Sequence, residues 1–222
     1  MTHGNWNSRV VQNYQQTIRN KVPGYDLIYE QMLAIIRSTQ IPEDILIIGA
    51  GGGQELVTLS KDYPDVRYTA IDPSHRMMAL AKSRLNKSMK HIDWYETELA
   101  NVPTTTPFDI VTCHLMLHFL HEEKKELLLD IGERVKEGGL CFISSINTAD
   151  SRLLSYWQQH MRNNGVPDEE IETFSSSFGK TTHPVSAEWI HQWLQEAGFI
   201  KIIPYFKSYA IDAIVATKGA LP

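Results

Sequence analysis

The sequence has little of what marks several large classes of protein. Its 222 residues include only two cysteines, Cys113 and Cys141, and both lie inside apolar runs. This placement predicts reduced core residues rather than a disulfide framework or a thiolate metal site. The histidines are spread along the chain and no Cys-x-x-Cys pair accompanies them, so we expect no catalytic metal.

The sequence also lacks a basic run and a long apolar run. Lysine and arginine together number 21 against 26 aspartates and glutamates, a formal net charge of −5, whereas nucleic-acid binders need basic surface to neutralise phosphates. No stretch approaches the roughly 20 apolar residues of a membrane helix, and residues 1–8 carry no apolar signal segment. We therefore expect a cytoplasmic protein with neither a nucleic-acid partner nor a membrane partner.

The most informative stretch is a glycine-rich turn followed by a distant acid. An apolar run, residues 45–48, ends in the glycine-rich stretch 49–53, and a second apolar run, 66–71, ends in Asp72. This order predicts a strand, a tight turn, a helix and a second strand with a carboxylate at its tip. Glycines let the backbone approach a ligand closely, and the acid accepts hydrogen bonds from ribose hydroxyls, so the unit predicts a nucleoside site.

The spacing of the glycines narrows the choice of nucleoside. A dinucleotide turn needs glycine at offsets 0, 2 and 5, but the residue five positions after Gly49 is Gln54. The glycines instead follow a Gly-x-Gly-x-Gly pattern. The pattern argues against a nicotinamide oxidoreductase and favours a ligand without a pyrophosphate, with S-adenosylmethionine as the leading candidate.

Strands and helices are predicted to alternate along most of the chain. The predicted strands are 45–49, 66–72, 91–96, 108–114, 140–146, 199–205 and 209–217. The predicted helices are 9–20, 27–38, 54–61, 74–85, 122–135, 150–164 and 186–197. This alternation predicts an α/β fold with a parallel sheet and helices on both faces. The connection between the last two strands is too short for a parallel crossover, so that pair should be antiparallel.

The length of the chain suits a single domain, residues 1–222, with additions. We expect residues 1–40 to form an N-terminal helical cap and residues 150–185 to form a lid insertion, both covering the cleft and choosing the substrate. Residues 166–185 are mixed and polar, which predicts loop and short helix. The turn into the fifth strand should lie at Gly138 and Gly139.

Together these motifs resemble the class I S-adenosylmethionine-dependent methyltransferases over residues 40–217. The resemblance rests on residues 49–53, Asp72, 108–111, 117–120 and 134–139. It implies a Rossmann-like, doubly wound, seven-stranded sheet whose last strand is antiparallel.

The resemblance also implies S-adenosylmethionine contacts at Tyr25, Gly49, Ala50, Gly51, Gln54, Asp72, Pro73, Met77, Glu98, Leu99 and His114. Asp72 would bind the ribose, and Glu98 the adenine amino group, although Glu96 competes for that role. The family commonly has an acid two residues before the first glycine, where this chain has Ile47.

A narrower resemblance is to the carboxy-S-adenosylmethionine synthases, which share the methyltransferase fold. It rests on residues 22–25, on residues 197–199 and on the final hairpin. That family holds the extra carboxylate of its product with an arginine in the helix before residues 197–199. Here the matching position is Trp193. The resemblance therefore implies shared shape rather than a shared product.

Methyl transfer from a sulfonium is an in-line displacement in which the enzyme mainly positions the nucleophile. A base is needed only where the nucleophile must lose a proton. We take His114 and His118 as catalytic candidates, with packing at a helix start as the alternative for His118. Tyr14, Tyr25 and His183 are candidates for contact with the substrate.

The most favoured function is methyl transfer to a small-molecule acceptor. Two alternatives stay open. One is another reaction of the same cofactor, such as carboxy-S-adenosylmethionine formation, and the other is a non-catalytic binding module, which Ile47 suggests. The sequence leaves a homodimer open and identifies neither the acceptor nor the atom that is methylated.

Overall fold

A single seven-stranded sheet organises the structure. The computed structural model describes residues 13–39, 41–85, 91–103, 106–148 and 150–219. The strands follow the order β3-β2-β1-β4-β5-β7-β6. Strands β1 to β5 pair in parallel, whereas β7 is antiparallel to both β5 and β6. The predicted fold class and the antiparallel last strand are confirmed.

The elements have the following bounds. The strands are β1 Asp44–Ile48, β2 Arg67–Ile71, β3 Ile92–Tyr95, β4 Phe108–His114, β5 Val135–Ile146, β6 Phe199–Ser208 and β7 Ile211–Lys218. The helices are α1 Tyr14–Lys21, α2 Tyr25–Thr39, α3 Gln54–Leu59, α4 His75–Arg84, α5 Lys124–Arg134, α6 Ser151–Asn163, α7 Asp168–Ser177 and α8 Ala187–Glu196. Positions 9–12 of the predicted first helix lie outside the described residues. None of the helices in the described ranges is long and apolar enough to cross a bilayer.

Side-chain caps explain where several helices begin. Ser74 precedes α4 and its hydroxyl accepts a hydrogen bond from the Met77 N–H at 3.2 Å. Ser186 caps α8 in the same way. Such caps satisfy N–H groups that have no partner inside the helix. They fix the starts of α4 and α8, and both helices begin within one residue of the predicted positions.

The start of β5 differs from the prediction. A helix to residue 135 and a turn at the two glycines were expected, but the strand begins directly at Val135. Phe108 pairs with Val135 and Ile110 pairs with Leu140, so the residues between them bulge out of register. Gly138 takes a φ of 74° inside this bulge, which glycine adopts readily.

The segment expected to be loop and short helix contains a ten-residue helix, α7. Three acids, residues 168–170, occupy its first turn, where the helix dipole favours negative charge. Ile171 is the single buried residue of α7. One apolar anchor gives no detectable helical period, which is why the sequence pattern did not indicate this helix.

The N-terminal region divides into a core helix and an outer helix. Ile28, Met32 and Ile36 of α2 have no exposed surface, so α2 is part of the core rather than a detachable cap. Helix α1 has no buried residue. It contacts α6 and α7, because the Trp157 indole N–H donates to the Lys21 carbonyl at 2.6 Å and Lys21 pairs with Glu170. The insertion thus packs against α1.

The packing of α5 on the end of α8 provides a test of the fold. A Cβ atom at Gly132 of α5 would lie 2.5 Å from the Ala197 carbonyl oxygen and 2.8 Å from the Ala197 Cβ. We expect Gly132→Ala to lower the free energy of unfolding by about 1–3 kcal/mol through overpacking, despite the higher helix propensity of alanine. Urea unfolding measures the change.

The matched control is Ser83→Ala on the exposed face of α4. It should shift the free energy of unfolding by no more than about 0.5 kcal/mol. Equal stability of Gly132→Ala and the original protein would show that α5 and α8 do not approach this closely.

Candidate active site

A cavity of about 540 Å³ opens at the carboxyl ends of β1, β2 and β4. Ligands of open α/β sheets bind at this edge, and the volume lies within the roughly 300–1,000 Å³ of small-molecule sites. Helices α1 and α2 form one side of the cavity through tyrosines, and the glycine-rich turn forms its floor.

The glycine-rich turn requires glycine at specific positions. Gly49, Gly51 and Gly53 have φ values of 68°, 49° and 76°, in the left-handed region. A Cβ atom at Gly53 would lie 2.9 Å from the Ala81 Cβ. The Ala50 N–H donates to the Ile71 carbonyl at 2.8 Å, which ties the turn to the end of β2.

The carboxylate of Asp72 is fixed by two backbone groups. Its Oδ2 accepts a hydrogen bond from the Gly51 N–H at 2.8 Å, and its Oδ1 accepts one from the Ser74 N–H at 2.7 Å. We call this arrangement the Asp72 clamp. It holds a 9% exposed carboxylate on the cavity wall in one orientation, the position in which an acid would meet a ribose.

The next part of the wall is apolar and narrow. Pro73, Met77 and Leu99 line it, and the last two are almost fully buried. Glu98 lines the cavity beside Leu99. Glu96, its competitor in the sequence analysis, is absent from the wall and bonds through Oε2 to the Nδ1 atom of His75 at 2.9 Å.

Gln54 joins the outer helix to the turn. Its Oε1 accepts hydrogen bonds from Arg84 at 2.9 Å and from Arg19 of α1 at 3.2 Å. Arg84 also donates to the Gly52 carbonyl, and Gln15 reaches the same oxygen at 3.4 Å. These bonds hold α1 above the turn and bring Tyr14 to the cavity wall.

Three tyrosines and one histidine form an aromatic cluster in the wall. Tyr25 and Tyr29 contact edge to face at 5.2 Å between ring centroids, and Tyr29 meets His114 in the same way at 5.2 Å. Side-chain hydrogen bonds also join Tyr25 to Tyr14 and to Tyr29. Sequence reasoning missed Tyr29, although it lies four residues after Tyr25 and shares its helix face.

Glu55 is the second residue that sequence reasoning missed. It is 3% exposed, lines the cavity, and its Oε1 has no hydrogen-bond partner. Burial raises the pKa of its carboxyl to about 8, and the charge of Asp72 adds to the rise. No pattern in the sequence signals it, because an acid in the first turn of a helix is usually exposed.

The position of His114 favours positioning over proton transfer. Its Nδ1 lies 3.0 Å from the Ser144 hydroxyl and its Nε2 lies 3.3 Å from the Met32 sulfur. Burial lowers the pKa of the imidazole to about 3. The ring is therefore neutral at physiological pH, and both of its nitrogens are occupied inside the protein. The predicted role as a base is disfavoured.

His118 and His183 do not line the cavity. The Nδ1 atom of His118 accepts a hydrogen bond from the Ile146 N–H at 3.2 Å. The ring of His183 packs on His121 at 4.5 Å, and its backbone N–H donates to the His118 carbonyl. This geometry does not support either prediction, because a hydrogen bond from β5 holds the His118 ring and the backbone of His183 is bonded to the 3₁₀ turn at residues 117–119. No residue of the insertion 150–185 lines the cavity either.

In the described part of the chain, the carboxyl side chains on the wall have no basic side chain among them. Among the described residues that line the cavity there is no lysine and no arginine. The acids are Glu55, Asp72, Glu98, Glu123, Glu126 and Asp130. A cavity of this composition attracts cations and repels anions.

Comparison with known proteins identifies the domain. Residues 46–141 match the family described as "Methyltransferase domain". These residues form a methyltransferase domain like that of S-adenosylmethionine-dependent enzymes. S-adenosylmethionine is the cofactor of this class of enzyme. The predicted family and cofactor are thereby confirmed.

Curated relatives match along almost the whole chain. A carboxy-S-adenosyl-L-methionine synthase from Ectopseudomonas mendocina is 26% identical over 228 residues, covering 95% of this chain and 91% of the relative. One from Chromohalobacter salexigens is 25% identical over 227 residues, covering 97% and 83%.

Solved structures share the fold. An S-adenosylmethionine-dependent methyltransferase from Thermotoga maritima has a TM-score of 0.63 and 17% identity, covering 95% of this chain and 96% of the other. The N-methyltransferase NodS from Bradyrhizobium japonicum, solved with S-adenosylhomocysteine, has a TM-score of 0.62 and 18% identity, covering 93% and 98%.

The residues present fit S-adenosylmethionine. The turn brings the backbone of Gly51 close to the cavity, the Asp72 clamp presents a carboxylate, and Met77 and Leu99 offer flat apolar surface. The bound cofactor supplies an electrophilic methyl group on a positively charged sulfur, and that charge matches the acidic wall. Every cofactor contact named in the sequence analysis lies on the wall of this cavity; the individual contacts stay predictions.

The Asp72 clamp gives the first prediction for the site. We expect Asp72→Asn to weaken S-adenosylhomocysteine binding about 10- to 100-fold, because one charge-assisted hydrogen bond contributes about 1.5–3 kcal/mol. The ligand-induced rise in melting temperature measures the effect within each variant. Asp93→Asn, an exposed residue on the neighbouring strand, is the control. An unchanged rise in Asp72→Asn would refute the ribose assignment.

His114 gives the second prediction. Because burial lowers the pKa of its imidazole to about 3, its ring signals should not titrate between about pH 5 and 8, where histidines ordinarily do. NMR of the imidazole resonances, assigned by loss of the signal in His114→Asn, measures this. A midpoint near the ordinary pKa of about 6.5 would restore His114 as a candidate base.

Proposed function

We propose that this enzyme transfers the methyl group of S-adenosylmethionine to a small molecule bound beside the tyrosine cluster. The observation that carries the proposal is one continuous cavity. It includes the glycine-rich turn, the Asp72 clamp and, on the side of α1 and α2, Tyr14, Tyr25 and Tyr29. Space for an acceptor therefore adjoins the space for the cofactor.

The work of the protein in this reaction is positioning. The hydrogen bond from Arg19 to Gln54 holds helix α1 over the turn, so that Tyr14 lines the cavity. The ring of His114 is fixed between Ser144 and Met32, which gives the wall a surface of fixed orientation. Holding nucleophile and methyl group in line supplies much of the rate enhancement in such displacements.

Carboxy-S-adenosylmethionine formation is the second candidate, because the relatives that match along the chain carry that name. The composition of the cavity wall argues against this reaction. A second carboxylate on the cofactor needs a cation, and no lysine or arginine of the described residues lines the cavity. Trp193, at the position of the arginine expected in that family, stacks on Trp189 at 5.8 Å and lies outside the cavity.

The remaining parts of the proposal concern partners and location. A net charge of −5 and an acidic cavity support a small-molecule acceptor rather than a nucleic acid. A cytoplasmic location and a homodimer belong to the proposal as expectations.

The test is an incubation with S-adenosylmethionine carrying a labelled methyl group. Panels of small amines, alcohols, phenols, thiols and carboxylic acids serve as acceptors, and mass spectrometry follows S-adenosylhomocysteine and labelled product. We expect at least one panel to yield both, and the Asp72→Asn variant to yield less at limiting cofactor. A carboxylated cofactor, sought in parallel with keto acids, would establish the second candidate. Cofactor binding without turnover of any panel would indicate a binding module.

A further inference from the structure

One oxygen of the Glu55 carboxyl group, Oε1, has no hydrogen-bond partner, although the group accepts a hydrogen bond from its own backbone N–H. The nearest basic group that acts on it is Arg84, but the guanidinium of Arg84 donates to the Gly52 carbonyl and to Gln54. The Glu55 Oε1 therefore stays buried without a hydrogen bond on the wall of the cavity. Leaving a buried polar atom unpaired is unfavourable, so a ligand that pairs with this oxygen binds more tightly.

Glu55 is bordered by the tyrosine cluster. Glu55 lines the same cavity as Tyr14, Tyr25 and Tyr29, and it lies close enough to raise the pKa of each tyrosine. Tyrosine rings attract cations to their faces, and Tyr25 already carries the Arg19 guanidinium at 5.3 Å from its centroid. A carboxylate among aromatic rings is a receptor for a compact positive charge.

The composition of the rest of the cavity wall favours an amine over other classes of methyl acceptor. Carboxylates and phosphates would meet six acids and no basic side chain. Phenols and alcohols bring no positive charge to the unpaired carboxyl of Glu55, so this wall favours an ammonium group over them. An aliphatic amine has a nucleophilic lone pair on nitrogen once its ammonium group has lost one proton.

We propose that Glu55, with Tyr14, Tyr25 and Tyr29, binds the nitrogen of a small aliphatic amine and that this amine is the methyl acceptor. The inference rests on the proposed function and specifies its substrate class. Glu55 takes one proton from the bound ammonium, and the nitrogen lone pair then attacks the methyl carbon. The new N–C bond forms as the C–S bond breaks with its electron pair going to sulfur. The methylated product keeps the positive charge, and neutral S-adenosylhomocysteine leaves.

The experiment measures amine binding to the protein saturated with S-adenosylhomocysteine. The probes are n-butylamine and benzylamine, with n-butanol and benzyl alcohol as neutral matches, followed by calorimetry. We expect the amines to bind saturably and the alcohols not to bind. Glu55→Gln should lower amine affinity about tenfold or more, the value of one charge-assisted hydrogen bond. It should leave S-adenosylhomocysteine affinity within about threefold.

Glu30→Gln is the matched control, since it makes the same change on the exposed face of α2, away from the cavity. It should bind the amines as the original protein does. Glutamine has the shape of the protonated acid, and the raised pKa of Glu55 means that the fold already accommodates the neutral group. The melting temperature of Glu55→Gln should therefore not fall, which separates loss of binding from loss of folding.

The pH dependence of binding supplies a second readout. Because the pKa of Glu55 is raised to about 8, the carboxylate forms as pH increases from about 6.5 to 8.5, and amine affinity should rise over that range. Glu55→Gln should abolish the rise. The groups that influence Glu55 or respond to it are Asp72, Arg84, Tyr14, Tyr25, Tyr29, Cys113 and Tyr205. Burial raises the pKa of the tyrosines and of the Cys113 thiol, so these groups stay protonated throughout.

Four results of the binding experiments would overturn the inference. The first is equal binding of alcohols and amines, and the second is unchanged amine binding in Glu55→Gln. The third is an amine affinity that does not change with pH in the original protein. The fourth is a selective loss of S-adenosylhomocysteine affinity in Glu55→Gln. The last would assign Glu55 to the ammonium group of the cofactor. Turnover of acceptors other than amines would refute this inference alone, whereas absence of turnover with every acceptor would refute the proposed function as well.

Discussion

The Asp72 clamp is the interaction on which the site depends. One carboxylate accepts hydrogen bonds from the turn after β1 and from the residue before α4, so the tips of two neighbouring strands are held at a fixed separation. Each bond to the ionised group contributes about 1.5–3 kcal/mol. Gly51 must keep its left-handed conformation to aim its N–H at the carboxylate, and Ser74 must both donate to it and cap the helix. The clamp therefore couples the conformation of the turn, the start of α4 and the orientation of the acid.

Gln54, which stands where a dinucleotide turn has glycine, has a structural role in this protein. In a dinucleotide turn a glycine would stand there and the helix would approach the strand closely. Here the amide oxygen accepts bonds from Arg19 and Arg84, one from each side of the turn. Helix α1, which has no buried residue of its own, is held in place largely by such polar contacts and by the indole of Trp157. The α1 side of the acceptor space thus depends largely on a few hydrogen bonds, whereas Tyr25 and Tyr29 on the α2 side belong to the hydrophobic core.

The sequence predicted the sheet well because local signals determine it. Apolar runs, glycines and a short final connection specify the strands and the antiparallel hairpin without knowledge of distant contacts. The bulge at the start of β5 was not predictable, because it depends on pairing between Phe108 and Val135, which are far apart in the chain. The buried Glu55 contradicts the usual pattern of exposed acids, and only the tertiary structure shows what surrounds it. His183 was assigned to the site from its residue type alone, and a hydrogen bond to the His118 carbonyl holds it elsewhere.

The acidic wall has a consequence for the end of the catalytic cycle. The cofactor enters with a positively charged sulfur and leaves as a neutral thioether, while the ionised carboxylates of the wall stay where they are. Their attraction for the sulfur disappears with the transferred methyl group. The protein therefore discriminates between its two cofactor states by charge, and product inhibition should be relieved by the same residues that favour the entry of the sulfonium.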